Sequence, residues 1–311
     1  MSLHVVVGAG PVGAGTASRL ADAGHQVRIV TRHGSGPDHP RIEKTAADAA
    51  RPGVLADLAA GADAIYNCAN PPYHRWDAEW PPLAEAMLDA AERSGAVLVT
   101  TSNLYGYGPV DHPMTEQDPL AATFTNGRVR AQMWETAIAA HRAGRVRVTE
   151  ARASDYFGPG LTDSSQLGRV IPRILAGKSV RVLGNPDLAH SWTYVPDVTR
   201  ALVTLGSDPR AWGRAWHVPT DAPRTQREMI EAFAEIAGVE PPKVGSLPRV
   251  ALRAAGLVVP MVRSLQQITY QVERPFIVDS SQFTDTFGIA PTAIRDALYE
   301  TYTSWTAAVA A

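Results

Sequence analysis

Short apolar runs and alanine-rich stretches of helical length alternate along the first hundred residues. Leu3–Val7 is apolar at every position but His4, and a run that short, flanked by glycine, reads as a strand buried on both faces. Residues 16–23 read as a helix that Gly24 ends, and residues 27–30 as a second strand. Residues 56–60 read as helical, 64–68 as a strand, 83–93 as a helix stopped by Gly95, and 96–100 as another strand. A helix over 127–143 and a strand near 146–151 follow. Strands separated by helix-length segments predict βαβ units, and so an α/β fold with a parallel, doubly wound sheet.

Beyond Tyr156 the texture changes. Pro/Gly loops at 158–160 and 184–186 and irregular segments dominate, with helices predicted over 166–175, 196–205 and 227–237. The expectation is a first domain over 1–158 and a smaller C-terminal lobe, mostly 159–311, interleaved with the last sheet elements at about 190–220. No repeat or low-complexity tract interrupts the chain.

Composition removes several classes. The 311 residues carry a net charge of −2, with 45% hydrophobic and 19% charged positions, enough to bury a sizeable core. The near-neutral balance without basic runs argues against a nucleic-acid binder. No apolar run reaches eighteen residues, so no membrane span is expected. The first residues lack a basic stretch before an apolar core, which makes a cytoplasmic location the expectation. Cys68 is the one cysteine, which excludes a disulfide framework and a cysteine-based zinc site. Only Lys44, Lys178 and Lys243 are lysines, so chemistry that needs a lysine has three candidates.

The clearest motif opens the chain. Val5–Val7 leads into Gly8-Ala-Gly10-Pro11-Val12-Gly13 and then a helix. Gly8 permits the tight turn, Gly10 lets backbone approach a pyrophosphate, and Gly13 allows close helix–strand packing. The helix start presents oriented N–H groups. A dinucleotide is the implied ligand. An acidic residue ending the second strand would bind a ribose 2′-hydroxyl, but the chain has Thr31-Arg32 there. An arginine fork suits a 2′-phosphate, so NADP is expected ahead of NAD. Asp48 is a candidate adenine contact or a helix cap.

These segments together resemble the extended short-chain dehydrogenase/reductase superfamily, in its NAD-dependent epimerase/dehydratase group. The turn at Gly8, residues 46–48, Asn67-Cys-Ala69, Thr100–Gly106, Arg152–Gly160 and Ser191–Val198 carry the likeness, in the family's order. It implies a Rossmann-like sheet with a C-terminal substrate-binding lobe, a cofactor contact at Ala69, and a homodimer formed through 83–93 and 127–143. It also implies a Ser/Thr and a Tyr-x-x-x-Lys pair, in which the tyrosine moves a proton and the lysine holds the nicotinamide ribose. Thr101 falls at the Ser/Thr position. The pair falls on Asn126 and Arg130. Arg130 keeps a positive charge able to hold a ribose hydroxyl, whereas Asn126 cannot donate and recover a proton.

Tyr105 and His74 are therefore candidate proton carriers. Tyr73, Asn103, Asp155, Tyr156 and Trp192 are candidate substrate contacts, and Trp76, Trp80 and Tyr194 either wall an apolar pocket or pack. The family's 4,6-dehydratases have Asp-Glu after the threonine; here the pair is Ser102-Asn103, so sugar dehydration is not expected. Nucleotide-sugar enzymes usually have asparagine at the position of Asp155. A carboxylate there would repel a diphosphate, so a nucleotide-sugar substrate is not expected either. The leading expectation is an NADP(H)-dependent oxidoreductase acting on a small carbonyl or secondary alcohol by an atypical mechanism. A non-redox epimerase, isomerase or cyclase on the same scaffold remains open. So does a catalytically silent NADP-binding regulatory protein; a flavoprotein is disfavoured because the second strand lacks an acidic end.

Overall fold

The structure is a computed structural model that describes residues 2–163, 165–247 and 260–310. The chain divides into two compact units, one of residues 1–108, 119–152 and 198–218, the other of 109–118, 153–197 and 219–311.

The first unit is built on a seven-stranded sheet. Its elements are β1 (Leu3–Val7), α1 (Pro11–Asp22), β2 (Gln26–Thr31), β3 (Ile42–Ala46), α2 (Val54–Leu58), β4 (Ala62–Asn67), α3 (Trp76–Ser94), β5 (Val97–Asn103), α4 (Thr125–Arg142) and β6 (Arg147–Ala153). Further along come β7 (Asp155–Phe157), α5 (Ile171–Leu175), β8 (Val180–Val182), β9 (Trp192–Tyr194), α6 (Val195–Ser207), β10 (Arg214–His217), α7 (Gln226–Ala237) and β11 (Val244–Ser246). The sheet order is β10-β6-β5-β4-β1-β2-β3. β1 pairs in parallel with both β2 and β4, so the strand order reverses beside it, where open α/β sheets bind ligands at their carboxyl edge. Val5, Val6, Ile29, Ile65 and Val99 are fully buried, as strands covered by helices on both faces require.

Three elements depart from the pattern predicted above. β3 (IEKTA) is largely polar and was not foreseen; at the end of the sheet it buries only Ile42, and an edge strand needs no apolar alternation. α3 begins at Trp76, seven residues before the expected start, and runs through Pro81 and Pro82. An internal proline costs about 3 kcal/mol. Trp76 and Trp80, one turn apart, are both buried and meet edge to face with centroids 6.2 Å apart, and their burial offsets that cost. The helix expected over 166–175 is confined to α5. Gly168 packs so closely on the Thr162 carbonyl that an added Cβ would lie 2.1 Å from its oxygen, so the preceding segment closes as a turn.

In the second unit β7 pairs with β9 and β8 with β11, each in parallel. Phe157, Ile171, Ile174, Trp192, Phe233 and Leu298 belong to its apolar core. α7 starts with a reciprocal capping box between Thr225 and Glu228 and stops at Gly238, whose φ of +69° suits glycine. No helix among the described residues is long and apolar enough to cross a membrane.

At the amino edge of β1 lies a buried histidine. His4 is 5% exposed, shares hydrogen bonds with Ser2 Oγ and Tyr66 Oη, and meets the His25 ring edge-on at 4.7 Å. Burial first, then the neighbouring His25, lowers its pKa to about 4. The folded state therefore disfavours the protonated ring. The stability from keeping it neutral is complete above about 6.5 and is lost as pH falls toward 4, on the order of 3 kcal/mol in all. Denaturant unfolding of wild type and His4→Phe at pH 7, 5.5 and 4 checks this. The variant is expected to lose less stability on acidification; equal losses would remove His4 as the cause.

Candidate active site

The glycine turn comes first. Gly8 has φ +103°, and a Cβ there would lie 2.7 Å from the Cys68 carbonyl oxygen. A Cβ at Gly13 would lie 2.1 Å from the Gly8 oxygen. Both glycines are required by backbone contacts within the protein. Gly10 differs: nothing lies within 4 Å of a Cβ built there. It is the N-cap of α1, with Pro11 following, no side-chain cap and no acidic residue in the first turn. The first-turn amides, including those of Val12 and Gly13, are thus offered to an anion without a competing carboxylate.

A cavity of about 660 Å³ adjoins this turn. Gly8, Ala9 and Gly10 form one end; Thr31, Arg32, His33 and Ser35 line it beyond β2, and Asp48 and Ala69 contribute from the loops after β3 and β4. Thr31 Oγ1 accepts from the Ser35 N–H at 2.8 Å, which curls the loop and leaves Arg32 exposed. The Asp48 carboxylate accepts from the Ala50 N–H at 3.1 Å, closing a turn; it does not cap a helix, since α2 starts five residues later from Gly53, and the residue also lines the cavity.

A second cluster gathers where β4 and β5 end. Thr101 lies beside Cys68, Oγ1 to Sγ 3.7 Å. Burial pushes the Cys68 thiol up to about 12, so it packs as a neutral group. Gly127 brings the start of α4 against Tyr105, where a Cβ would lie 2.7 Å from the Tyr105 oxygen. Asn126 is buried, and its amide donates to the Tyr73 carbonyl at 3.2 Å. Arg130 is buried as well. Its guanidinium lies 4.7 Å from the Trp76 ring centroid and 4.3 Å from that of Trp80, and Nη1 reaches the Thr101 carbonyl at 3.4 Å. The hydroxyls of Tyr73 and Tyr105 are hydrogen-bonded to each other. The Tyr105 ring stacks on Trp76 at 6.0 Å, and the Tyr73 ring lies 4.6 Å from Trp76.

Thus Tyr73, Tyr105, Asn126, Arg130 and Thr101 come together around two buried tryptophans. His74 does not join them: it is exposed on the 3-10 turn Tyr73–Arg75. Asn103 caps locally, its side-chain oxygen accepting from the Tyr105 N–H at 3.1 Å. The sequence leaves the tryptophans of α3 as walls of a pocket or as packing residues, and both are buried and packed. They hold the Arg130 cation, which their i, i+4 spacing could have signalled.

In the second unit Asp155 opens β7, followed by the half-buried Tyr156. Asp155 Oδ2 is 2.8 Å from His190 Nε2 and also accepts from the Gln166 amide. His190 is buried between the rings of Trp192 and Phe276, at 4.9 and 5.3 Å. Trp192 is 3% exposed and donates to the Arg224 carbonyl; it belongs to the core, not to a pocket wall. Sequence reasoning missed His190, because 35 positions separate it from Asp155 and no local pattern links them. Among the described residues no cluster of acidic, histidine or cysteine side chains suits a metal ion.

A sequence model of the NAD-dependent epimerase/dehydratase family matches residues 4–218. The chain belongs to that family. It is 26% identical over 230 residues to a dTDP-glucose 4,6-dehydratase of Streptomyces griseus, covering 71% of this chain and 64% of that protein. It is 25% identical over 218 residues to a UDP-glucose 4-epimerase of Mycolicibacterium smegmatis, covering 64% of this chain and 66% of the relative. The matches thus span under two thirds of each relative's length. The crystal structure of dTDP-glucose 4,6-dehydratase from Bacillus anthracis str. Ames in complex with NAD superposes with a TM-score of 0.80 at 17% identity, over 99% of this chain and 97% of that one, a likeness of fold.

One expectation is overturned. Family members similar to this chain are named for dTDP-glucose and UDP-glucose, so a nucleotide-sugar substrate cannot be set aside. The physical premise for doing so was a bare carboxylate at Asp155. Its Oδ2 is instead occupied by two donors of the same chain, His190 and Gln166.

The two glycines make separable predictions. Gly13→Ala forces a backbone shift and is expected to lower unfolding free energy by about 1–3 kcal/mol. Gly10→Ala is expected to change it by less than about 0.5 kcal/mol. Chemical denaturation of both variants measures the contrast, and equal losses would contradict the packing described.

Proposed function

We propose that this protein is an enzyme that binds a nicotinamide dinucleotide, prefers its 2′-phosphorylated form, and acts on a hydroxyl-bearing carbon of a nucleotide sugar by oxidoreduction or epimerisation. The observation that carries this reading is Gly10, which faces open space at the mouth of a 660 Å³ cavity while the glycines on either side are packed. Such a turn accepts a pyrophosphate on its amides and has no other structural need for glycine at that position. Arg32 and Thr31 line the far part of the same cavity, and the end of β2 carries no acid to favour an unphosphorylated ribose. A bound nicotinamide supplies a hydride acceptor or donor. Thr101 is suited to orient a substrate oxygen. Arg130 contributes a fixed positive charge behind it, and with its guanidinium on Trp76, Trp80 and the Thr101 carbonyl it supports the ribose side through that arrangement.

Dehydration is not the reaction proposed, since Ser102 is buried and Asn103 caps the Tyr105 turn, and neither is an acid or base near neutrality. The nucleotide-sugar class is supported by the relatives' names and by the hydrogen-bonded state of Asp155. The Asn126–Arg130 spacing favours one competing reading, a dinucleotide-binding protein without turnover.

Titration of wild type and Arg32→Ala with NADPH and NADH tests the cofactor. Loss of an arginine–phosphate contact is expected to weaken NADPH by about 1.5–3 kcal/mol and leave NADH nearly unchanged. A wild type that binds neither dinucleotide would sink the proposal; dinucleotide binding without turnover of UDP-glucose or dTDP-glucose would select the silent reading.

A further inference from the structure

No lysine in this chain has a tyrosine four residues before it: Pro40, Ile174 and Val239 precede Lys44, Lys178 and Lys243 at that spacing. A tyrosine that moves a proton must therefore come from elsewhere in the fold. Two phenols meet at the carboxyl edge of adjacent strands. Tyr73 follows β4 and Tyr105 follows β5, and β4 and β5 pair in parallel. Their hydroxyls are hydrogen-bonded to each other, and their rings lie 6.0 Å apart, edge to face.

The surroundings commit both phenols to this meeting. The buried Asn126 amide fixes the Tyr73 backbone by donating to its carbonyl. Gly127, the next residue, lets α4 close on the Tyr105 carbonyl. Trp76 backs both rings and, together with Trp80, also carries the Arg130 guanidinium. The same edge holds the glycine turn: Cys68, at the end of β4, is the contact of both Gly8 and Thr101.

We infer that Tyr73 and Tyr105 act as one proton-transfer unit, with Tyr73 the oxygen that exchanges the proton with substrate and Tyr105 the donor that holds it. The division follows from burial. Tyr105 is buried, whereas Tyr73 is only partly so, and the reacting oxygen must be reachable. Hydrogen bonds to a charged acceptor are about twice as strong as neutral ones, so the Tyr105 O–H stabilises a Tyr73 phenolate. This assignment rests on the function proposed above. In oxidation a bound nicotinamide would supply the acceptor for the hydrogen and bonding electron pair of the substrate carbon. The substrate hydroxyl then becomes a carbonyl, and its proton passes to the Tyr73 oxygen, which had earlier released its own proton to solvent. Reduction reverses each transfer: Tyr73 protonates the carbonyl oxygen, and the resulting phenolate accepts from Tyr105. Asn126, whose amide is spent on the 73 carbonyl, becomes a positioning residue for Tyr73.

The test uses the full chain with Tyr73→Phe, Tyr105→Phe and the double variant. Single-turnover absorbance at 340 nm, with UDP-glucose and dTDP-glucose as probes, follows the redox step. Tyr73→Phe is expected to slow it by 10²–10⁴, with dinucleotide and sugar-nucleotide dissociation constants changed less than about twofold. Tyr105→Phe is expected to slow it less, and the double variant no more than Tyr73→Phe. Proton NMR supplies a readout independent of turnover: a slowly exchanging phenolic proton in wild type should vanish in either single variant. If dinucleotide binds, wild type turns over and Tyr73→Phe matches it, the inference is wrong while the proposed function stands. If dinucleotide binding fails, or wild type leaves both probes unchanged, the function and the inference fall together. Absence of the phenolic proton from wild type refutes the pair by itself.

Discussion

Three stretches of backbone meet at the carboxyl end of β1 with no room between them for a side chain. Gly8 sits on the end of β4, and Gly13 sits on Gly8. This contact sets the start of α1, seats β4 beside β1 at the point where strand order reverses, and leaves the amides of the α1 turn facing a cavity. The position that faces outward, Gly10, is the one at which an added methyl would meet nothing. Fold and ligand site therefore draw on neighbouring glycines for different physical reasons: two are needed for the approach of backbone to backbone, the third for the approach of a ligand to backbone.

A cation between aromatic rings organises the next region. Arg130 is held by the faces of Trp76 and Trp80, and a buried guanidinium needs such compensation. The arrangement ties α4 to the first turns of α3 and explains why α3 tolerates two internal prolines. It also builds the slab on which Tyr73 and Tyr105 lie. The replacement of tyrosine and lysine by asparagine and arginine thus reaches beyond two positions, because the arginine has acquired two tryptophans and the asparagine a backbone carbonyl.

In the second unit, the Asp155–His190 pair shows how a charge read in isolation can mislead. A carboxylate beside a tyrosine, seen in sequence alone, is a source of repulsion for phosphate. With His190 and Gln166 donating to one of its oxygens and two aromatic rings flanking the histidine, it is part of a hydrogen-bonded cluster.

Local pattern carried much of this protein. The apolar run at 3–7, the glycine spacing at 8–13 and the alternation of strand with helix are set by contacts close in sequence, and they determined the α/β class, the parallel sheet and the family. The polar edge strand β3 was illegible because its exposed side needs no alternation, and the early start of α3 because proline's local cost hides the tryptophans that offset it. What only the tertiary structure decided are the meetings of distant side chains: Arg130 with Trp76 and Trp80, Tyr73 with Tyr105, His190 with Asp155. Each joins residues 32 or more positions apart, and such pairings arise from how distant segments pack within each unit, which no periodicity along the chain encodes.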